Sequence, residues 1–256
     1  MRYMGGKARI AKQLTTEILA KANSNQLLIE PFIGGGWVTA QLAPHFNTVQ
    51  AYDLHEDLVL MWQQVLDGTF VPPTETSREE YMFYKNSDVP SALRGFLGFG
   101  MSYAGKWFGG YTGGGNSEEI AVKALVKPGS QRDYIGPAGR DYIGPAGNGL
   151  LRKAAFMGNV EVARSNFFDI EVVPGSVLYC DPPYARTTGY SSGGFDSERF
   201  WVRCSEWAEV AQVFVSEENA PADWESIWSK STLRSVDSNS QAAVEHLFYR
   251  GPESVE

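Results

Sequence analysis

Hydrophobic residues follow helical and strand spacings in turn along the first part of the chain. Between residues 7 and 22 the apolar positions are four apart, which predicts an amphipathic helix. Short apolar runs at 27–30 and 49–53 predict two strands, separated by a run of glycines and a helical stretch. Apolar residues spaced three and four apart over 58–66 predict another helix. This order of elements is typical of an α/β sheet domain.

The alternation stops near residue 72 and resumes near residue 160. The later predicted elements are a helix at about 197–209 and strands at 160–164, 177–181, 212–216 and 245–250. The stretch between the two halves is instead rich in glycine, aromatic and basic residues. We therefore predict one sheet domain formed by residues 1–71 and 160–256, interrupted by an inserted subdomain of residues 72–159.

Charge is segregated between the inserted segment and the C-terminal part. Ten Lys and Arg stand against six Asp and Glu between Lys85 and Arg164, whereas residues 205–256 hold three and ten. The whole chain carries a net charge of -8, which argues against a generic polyanion binder, because such binding normally needs a cationic surface. A nucleic-acid site must therefore be local. Its candidate phosphate contacts are Lys106, Arg132, Arg140, Arg152 and Lys153.

The octapeptide RDYIGPAG occurs at 132–139 and again at 140–147. Two short copies do not make a solenoid, whose units are longer and more numerous. One interpretation is a local duplication tolerated in a surface loop, since long insertions cost little closure entropy. The other is an extended loop whose arginines and tyrosines, from Arg132 to Tyr142, lie along a phosphate backbone.

Composition narrows the class of protein further. A chain of 256 residues is long enough for one sizeable core. The two cysteines form no metal-type cluster, so a reduced intracellular setting without a metal is expected. No apolar stretch has the length of a signal peptide or a membrane span, so we expect a cytoplasmic protein that does not contact a membrane.

Three glycines, Gly34, Gly35 and Gly36, follow the first predicted strand and precede a helix. Glycines let the backbone approach a ligand closely, and the helix offers free N–H groups. Asp53 ends the next strand, where an acid can accept hydrogen bonds from a ribose diol. The spacing is not GxGxxG and no phosphate-gripping lysine follows, so S-adenosylmethionine fits better than a nucleotide. A plain turn with a solvated acid is the alternative.

The stretch VLYCDPPYAR, at 177–186, runs from an apolar strand into an acid, two prolines and a tyrosine. Asp181 would lie at the carboxyl edge of the sheet, where ligands dock in open α/β folds. The prolines force the chain out of the sheet and leave the Pro182 carbonyl able to accept a hydrogen bond. Tyr184 adds a flat ring. A carboxylate, a carbonyl and a ring together suit an exocyclic amine on a planar base.

These motifs resemble those of the Dam, or D12 class, DNA adenine N6-methyltransferases. The matching stretches are RYMGGK at 2–7, EPFIGGG at 30–36, Asp53, SNFFD at 165–169 and DPPY at 181–184. The stretches VFVSEENAP and DWESIW look like the C-terminal pattern of phage-encoded members. The resemblance implies a Rossmann-like class I S-adenosylmethionine-dependent methyltransferase sheet with an inserted DNA-recognition subdomain.

The resemblance also implies roles for individual residues. The implied cofactor site consists of Tyr3, Lys7, Pro31, Gly34, Gly36, Asp53, Asn166, Phe167 and Asp181. The implied catalytic group around the target adenine consists of Asp181, Pro182 and Tyr184. Tyr3 stands where the family often has Trp, and Asn166 where it often has Asp. The segment 96–111 matches the family only loosely and also fits an aromatic core helix followed by a glycine loop, so no target sequence is implied.

We expect transfer of a methyl group from S-adenosylmethionine to N6 of an adenine flipped out of double-stranded DNA, by a monomer or a weak dimer. One alternative is methylation of RNA adenine or protein glutamine, by enzymes that usually carry Asn at the position of Asp181 and lack such a basic insert. Another is a catalytically silent DNA-binding relative, against which the intact motifs argue.

Overall fold

The computed structural model describes residues 1–22, 26–112, 135–136, 140–183, 195–233 and 242–252. The helices are α1 (Ala11–Lys21), α2 (Thr39–Leu42), α3 (Glu56–Leu66), α4 (Arg78–Lys85), α5 (Ala92–Gly100), α6 (Gly144–Ala154) and α7 (Ser197–Ala208). The strands are β1 (Leu27–Glu30), β2 (Thr48–Asp53), β3 (Glu75–Thr76), β4 (Ile135–Gly136), β5 (Arg140–Tyr142), β6 (Val160–Arg164), β7 (Val177–Cys180), β8 (Gln212–Glu217), β9 (Glu225–Leu233) and β10 (Ala242–Arg250). None of the helices in these ranges has both the length and the apolar character that crossing a bilayer requires.

Seven strands form one mixed sheet in the order β6-β2-β1-β7-β8-β10-β9. The first five of these are parallel to their neighbours, and β10 runs antiparallel between β8 and β9. The strand order reverses between β1 and β7, which is the switch point where ligands bind in open α/β sheets. The predicted Rossmann-like α/β sheet is confirmed, and the switch point lies between the EPFIGGG and DPPY stretches.

The chain divides into two compact units, and the seven-stranded sheet lies in the unit formed by residues 7–55 and 156–256. Its central strands are buried on both faces, as parallel strands between helices usually are. This is why the short apolar runs at 27–30 and 177–180 were readable as strands. The strand β9 was not predicted, because its sequence ESIWSKSTL is mostly polar and occupies the sheet edge.

The second unit comprises residues 1–6 and 56–155. It begins at residue 56, whereas the predicted insert begins at residue 72, because α3 packs against α5. Asp57 accepts hydrogen bonds from Arg94 Nη1 at 2.6 Å and from Ser91 N at 2.9 Å. Gly95 lets the helices meet, since a Cβ there would lie 2.3 Å from the Asp57 carbonyl oxygen. The aromatic core helix expected within 96–111 is confirmed, with Phe96 and Phe99 buried.

The repeated octapeptide does not form a plain surface loop where the structure describes it. Ile135 and Gly136 of the first copy pair antiparallel with Asp141 and Arg140 of the second. The second copy then turns into α6, whose first turn contains a proline, a residue whose fixed φ suits that position. Ile143 between strand and helix is buried, so the second copy forms part of a packed core.

Candidate active site

The glycine loop and Asp53 are joined at the carboxyl ends of β1 and β2. The carboxylate of Asp53 accepts from Gly34 N at 3.1 Å and from His55 N at 3.0 Å. Gly34 and Gly36 have φ values of 45° and 62°, in the left-handed region that favours glycine. The predicted turn therefore has the backbone form that only glycine adopts without strain, and Asp53 holds it in place.

The SNFFD stretch brings a third strand end to the same place. Ser165 N donates to the Asp53 carbonyl oxygen at 3.2 Å, directly after β6. The side-chain oxygen of Asn166 caps a short 3-10 helix by accepting from Phe168 N at 3.1 Å. Asp53 and Asn166 are thus placed close together, as predicted cofactor residues on adjacent strands should be.

Aromatic rings form a wall beside these polar groups. The Phe32 and Phe167 ring centroids are 5.4 Å apart, and both rings contact Phe195 and Phe200. Phe200 is fully buried, whereas Phe32 and Phe167 are only partly buried. The two partly exposed rings offer a flat apolar surface of the kind that binds a purine. Pro31, before Phe32, is buried and shapes the exit from β1.

Asp181 follows β7 and receives a buried lysine. Lys7 Nζ donates to Asp181 Oδ1 at 2.6 Å and lies 3.3 Å from Glu245 Oε1. The Lys7 side chain is 4% exposed and that of Asp181 is 21% exposed. Pro182, the next residue, is buried. Two of the predicted site residues, Lys7 and Asp181, are therefore in contact with each other, and Glu245 on β10, which was not predicted, lies beside them.

Several carboxyl groups here titrate above their usual range. Burial raises the pKa of Asp181 to about 6, although the nearby Lys7 ammonium lowers it. Burial raises the pKa of Asp53 to about 6 against the backbone hydrogen bonds that lower it. Burial, with the neighbouring Glu218 and Glu245 charges, raises the pKa of Glu217 to about 7. At neutral pH these carboxyls lie close to their titration range, where a small change of surroundings alters their charge.

Glu30 is a second acid that motif reasoning did not assign. It ends β1, is 2% exposed, and its Oε2 has no hydrogen-bond partner among the residues that the structure describes. Burial raises its pKa well above the ordinary value, and the charges of Asp181 and Asp53 raise it further. Its signal in the sequence was a carboxylate closing a buried apolar strand, an arrangement that is costly unless the acid has a partner.

In the other unit, Lys106 is exposed on a loop with a fixed backbone. Tyr103 N donates to the Gly110 carbonyl at 2.8 Å, and Lys106 N donates to the Tyr103 carbonyl at 3.1 Å. Ala104 and Phe108 have φ values of 54° and 40°, which are costly for residues other than glycine. The loop presents an aromatic ring beside the lysine, because Tyr103 is 72% exposed. Sequence reasoning had named the lysine and not the tyrosine.

The remaining predicted residues have different outcomes. Tyr3 lies in the second unit, residues 1–6 and 56–155, which is the helical unit. Its ring centroid is 4.9 Å from that of Phe99. Arg152 is exposed in the last turn of α6, as a phosphate contact should be. Tyr184 and Arg132 lie outside the described residues, and Arg140 is described only as part of β5.

Lys153 does not fit the predicted phosphate contact. It is 5% exposed, and its Nζ lies 5.1 Å from the centre of the Trp62 ring. Burial lowers its pKa to about 7. The prediction was wrong at this position because a count of basic residues takes no account of which side of a helix is buried.

Solved structures of several other proteins are similar to this one. It is similar to the rRNA methyltransferase aviRa from Streptomyces viridochromogenes, at 14% identity and a TM-score of 0.44, over 96% of this chain and 86% of that one. It is similar to the putative methylase HI0767 from Haemophilus influenzae, at 11% identity and a TM-score of 0.44, over 96% and 98%. A third is the tRNA (m1A58) methyltransferase TrmI from Aquifex aeolicus, at 10% identity and a TM-score of 0.40, over 96% and 70%.

No curated protein matches the chain. A family model does match its N-terminal third, which includes Tyr3, Lys7, the glycine loop and Asp53. Asp181 and Phe167 lie beyond the matched residues. The resemblance predicted from the motifs is thereby confirmed, since residues 3–90 match the D12 class N6 adenine-specific DNA methyltransferases.

Proposed function

We propose that this protein transfers a methyl group from S-adenosylmethionine to N6 of an adenine in double-stranded DNA. The observation that carries the proposal is the buried contact of 2.6 Å between Lys7 and Asp181, at the switch point of the sheet. A carboxylate there can accept a hydrogen bond from an amine, and the family match over residues 3–90 supports methyl transfer as the reaction.

The residues at the strand ends fit S-adenosylmethionine. Gly34 and Gly36 have positive φ values, and a turn without Cβ atoms lets a ligand approach the backbone closely. Asp53 would accept from the ribose hydroxyls, Asn166 would contact the adenine edge, and Phe167 would cover the base. When bound, this cofactor supplies an electrophilic methyl group on sulfur. Pro31 completes the proposed set at the strand ends, and the predicted cofactor contact of Tyr3 stays a prediction.

Asp181 would act on the target amine by electrostatics rather than as a strong base. The adenine N6 lone pair is delocalised into the ring, so the amine is a poor nucleophile. Hydrogen bonds from its two protons to Asp181 and to the Pro182 carbonyl would favour a pyramidal nitrogen and direct the lone pair outward. Each well-placed group of this kind contributes a few kcal/mol, and alignment at about 3–3.5 Å supplies much of the rest.

The target base must leave the double helix to be reached, at a cost of a few kcal/mol. We propose that Tyr184 offsets part of this cost by stacking on the extruded adenine. On the helical unit, the exposed Lys106 and Arg152 are the proposed phosphate contacts among the described residues. The exposed Tyr103 beside Lys106 adds a ring that a base can stack on.

A labelled-methyl assay tests the proposal. The protein is incubated with S-adenosylmethionine labelled with tritium in the methyl group and with unmethylated plasmid DNA, RNA or protein in separate reactions. We expect label in DNA, recovered as N6-methyladenine after digestion to nucleosides, and none with the Asp181→Ala variant. Label in RNA or protein but not in DNA, or equal label with the variant, would reject the proposal.

A further inference from the structure

Glu245 lies beside Lys7 but has no role in the methyl transfer proposed above. It lies on β10, which runs antiparallel to β8, and its side chain is 8% exposed. Its Oε1 is 3.3 Å from Lys7 Nζ, while the same nitrogen donates to Asp181 Oδ1 at 2.6 Å. The Lys7 ammonium is therefore shared between two carboxylates that are 64 positions apart in the chain.

The sharing matters because Asp181 has a second task in the proposed mechanism. Lys7 donates to Asp181 Oδ1, and the target amine would have to donate a hydrogen bond to the same carboxylate. A lysine committed only to Asp181 would compensate the charge of that carboxylate and weaken it as an acceptor for the amine. An ammonium has three donors and no acceptor, so it can bond Glu245 while it loosens its contact with Asp181.

Charge balance in this cluster favours such an exchange. Glu217 ends β8, and its residue partner in the antiparallel register is His246, the neighbour of Glu245. Glu217, Glu245 and Asp181 therefore place three carboxyl groups around one lysine. With more carboxyl groups than ammonium groups, Lys7 has an acceptor in either position.

We propose that Glu245 is a positioning residue, which takes over the Lys7 ammonium when Asp181 binds the target amine. The inference rests on the proposed function, since it presupposes an amine as the substrate group. Glu245 does not touch the substrate and acts only through Lys7. Its loss would leave Lys7 bound more tightly to Asp181 and slow the productive binding of the amine.

The first test is the titration of Asp181, followed by carboxyl 13C NMR of the whole chain. The groups around Asp181 are Lys7, Glu245, Glu30 and Tyr179, with Glu217 beside Lys7 and Glu245. In Glu245→Gln we expect the Asp181 midpoint to fall by roughly one pH unit, because Lys7 then contacts Asp181 more tightly and favours its charged form. In Lys7→Met we expect it to rise. An unchanged midpoint in Glu245→Gln would overturn the proposal.

The matched control is Glu225→Gln, which removes an acid from a lysine contact at the surface of the same sheet. Glu225 Oε2 lies 3.5 Å from Lys21 Nζ, and both side chains are largely exposed. This change should leave the Asp181 midpoint and the rate of methyl transfer within twofold of the wild-type values. Glu245→Asp keeps the negative charge and should recover most of what Glu245→Gln loses.

The second test is the pH profile of methyl transfer to unmethylated plasmid DNA. For Glu245→Gln we expect a plateau lower by about tenfold, an acid limb shifted to lower pH, and cofactor affinity within twofold of wild type. A plateau that falls without a shift of the limb would mean a merely structural role and would overturn the proposal. Absence of transfer by the wild-type protein would instead reject the proposed function, and the Asp181 titration would still decide whether Glu245 acts on Asp181 through Lys7.

Discussion

Among the described residues each unit buries one lysine, and the two side chains have different surroundings. In the sheet unit, which is formed by residues 7–55 and 156–256, Lys7 lies between the carboxylates of Asp181 and Glu245. In the helical unit Lys153 lies over the Trp62 ring, and burial lowers its pKa to about 7. Lys7 thus lies beside acids at the proposed reaction centre, whereas Lys153 lies against an aromatic ring in a packed interior. A buried lysine is thus a candidate site residue in one unit and a packed side chain in the other.

The largest effect should come from removing Asp181, the acid to which Lys7 donates. In Asp181→Ala we expect methyl transfer to fall by at least about 1000-fold, because the amine loses its charged acceptor. The fold should persist, since Lys7 keeps Glu245 as a partner. Single-turnover rates, cofactor affinity by calorimetry and the unfolding midpoint measure the three quantities. Turnover near the wild-type value would show that Asp181 takes no part in the reaction. Neither of the two buried lysines would then have a link to catalysis.

A change at the other lysine should alter stability instead. The folded chain releases the Lys153 proton near pH 7, whereas the unfolded chain holds it up to the ordinary lysine range. Between these values the unfolded state binds more protons, so wild-type stability rises with pH over that window. Lys153→Met should therefore be more stable than wild type below pH 7, by on the order of 2 kcal/mol, and this difference should shrink towards pH 10.

Denaturant unfolding at pH 6 and pH 9 measures this difference. A stability difference that does not depend on pH would show that Lys153 is not held neutral by its surroundings. The comparison between the two lysines would then lose its basis, because Lys153 would keep its proton in the folded chain as it does in the unfolded one.

The rate of methyl transfer should fall at acid pH, because Asp181 in the sheet unit becomes protonated. The pKa of Asp181 is raised from 3.8 to about 6, so its carboxylate is present above that value and is lost as the pH falls through it. We expect kcat/KM for DNA to fall below about pH 6 and to approach a tenfold drop for each further pH unit. Initial rates from pH 5 to pH 9 measure it. A rate that stays constant down to pH 4.5 would contradict a buried, titrating Asp181.

The smallest effect concerns DNA affinity and separates an exposed lysine from a buried one. Lys106→Ala should weaken binding to duplex DNA about threefold and reduce the salt slope by about one, because one phosphate contact is lost. Lys153→Met is the matched control and should bind DNA as the wild type does. Fluorescence anisotropy at several salt concentrations measures both. Equal loss in the two variants would mean that burial does not decide which lysines contact phosphate.

The sequence predicted the ends of the strands more accurately than it predicted the surroundings of the lysines. Buried parallel strands are continuous apolar runs, so β1 and β7 could be recognised, and the acids that end β2 and β7 followed from them. The contact of Lys7 with Glu245 joins residues 238 positions apart and depends on the position of β10 in the sheet, which no local pattern specifies. The partly polar edge strand β9 was missed for a related reason, since only its pairing with β10 shows it to be a strand.

Asp53 has a consequence for the thermodynamics of ligand binding. Its two carboxylate oxygens already accept from Gly34 N and His55 N, so the side chain is oriented before any ligand arrives. Immobilising a free side chain on binding costs about 0.5–1.5 kcal/mol, and here that entropy has been lost on folding. A diol that meets this acid therefore binds to a preorganised acceptor, and little of its interaction energy is consumed by ordering the protein.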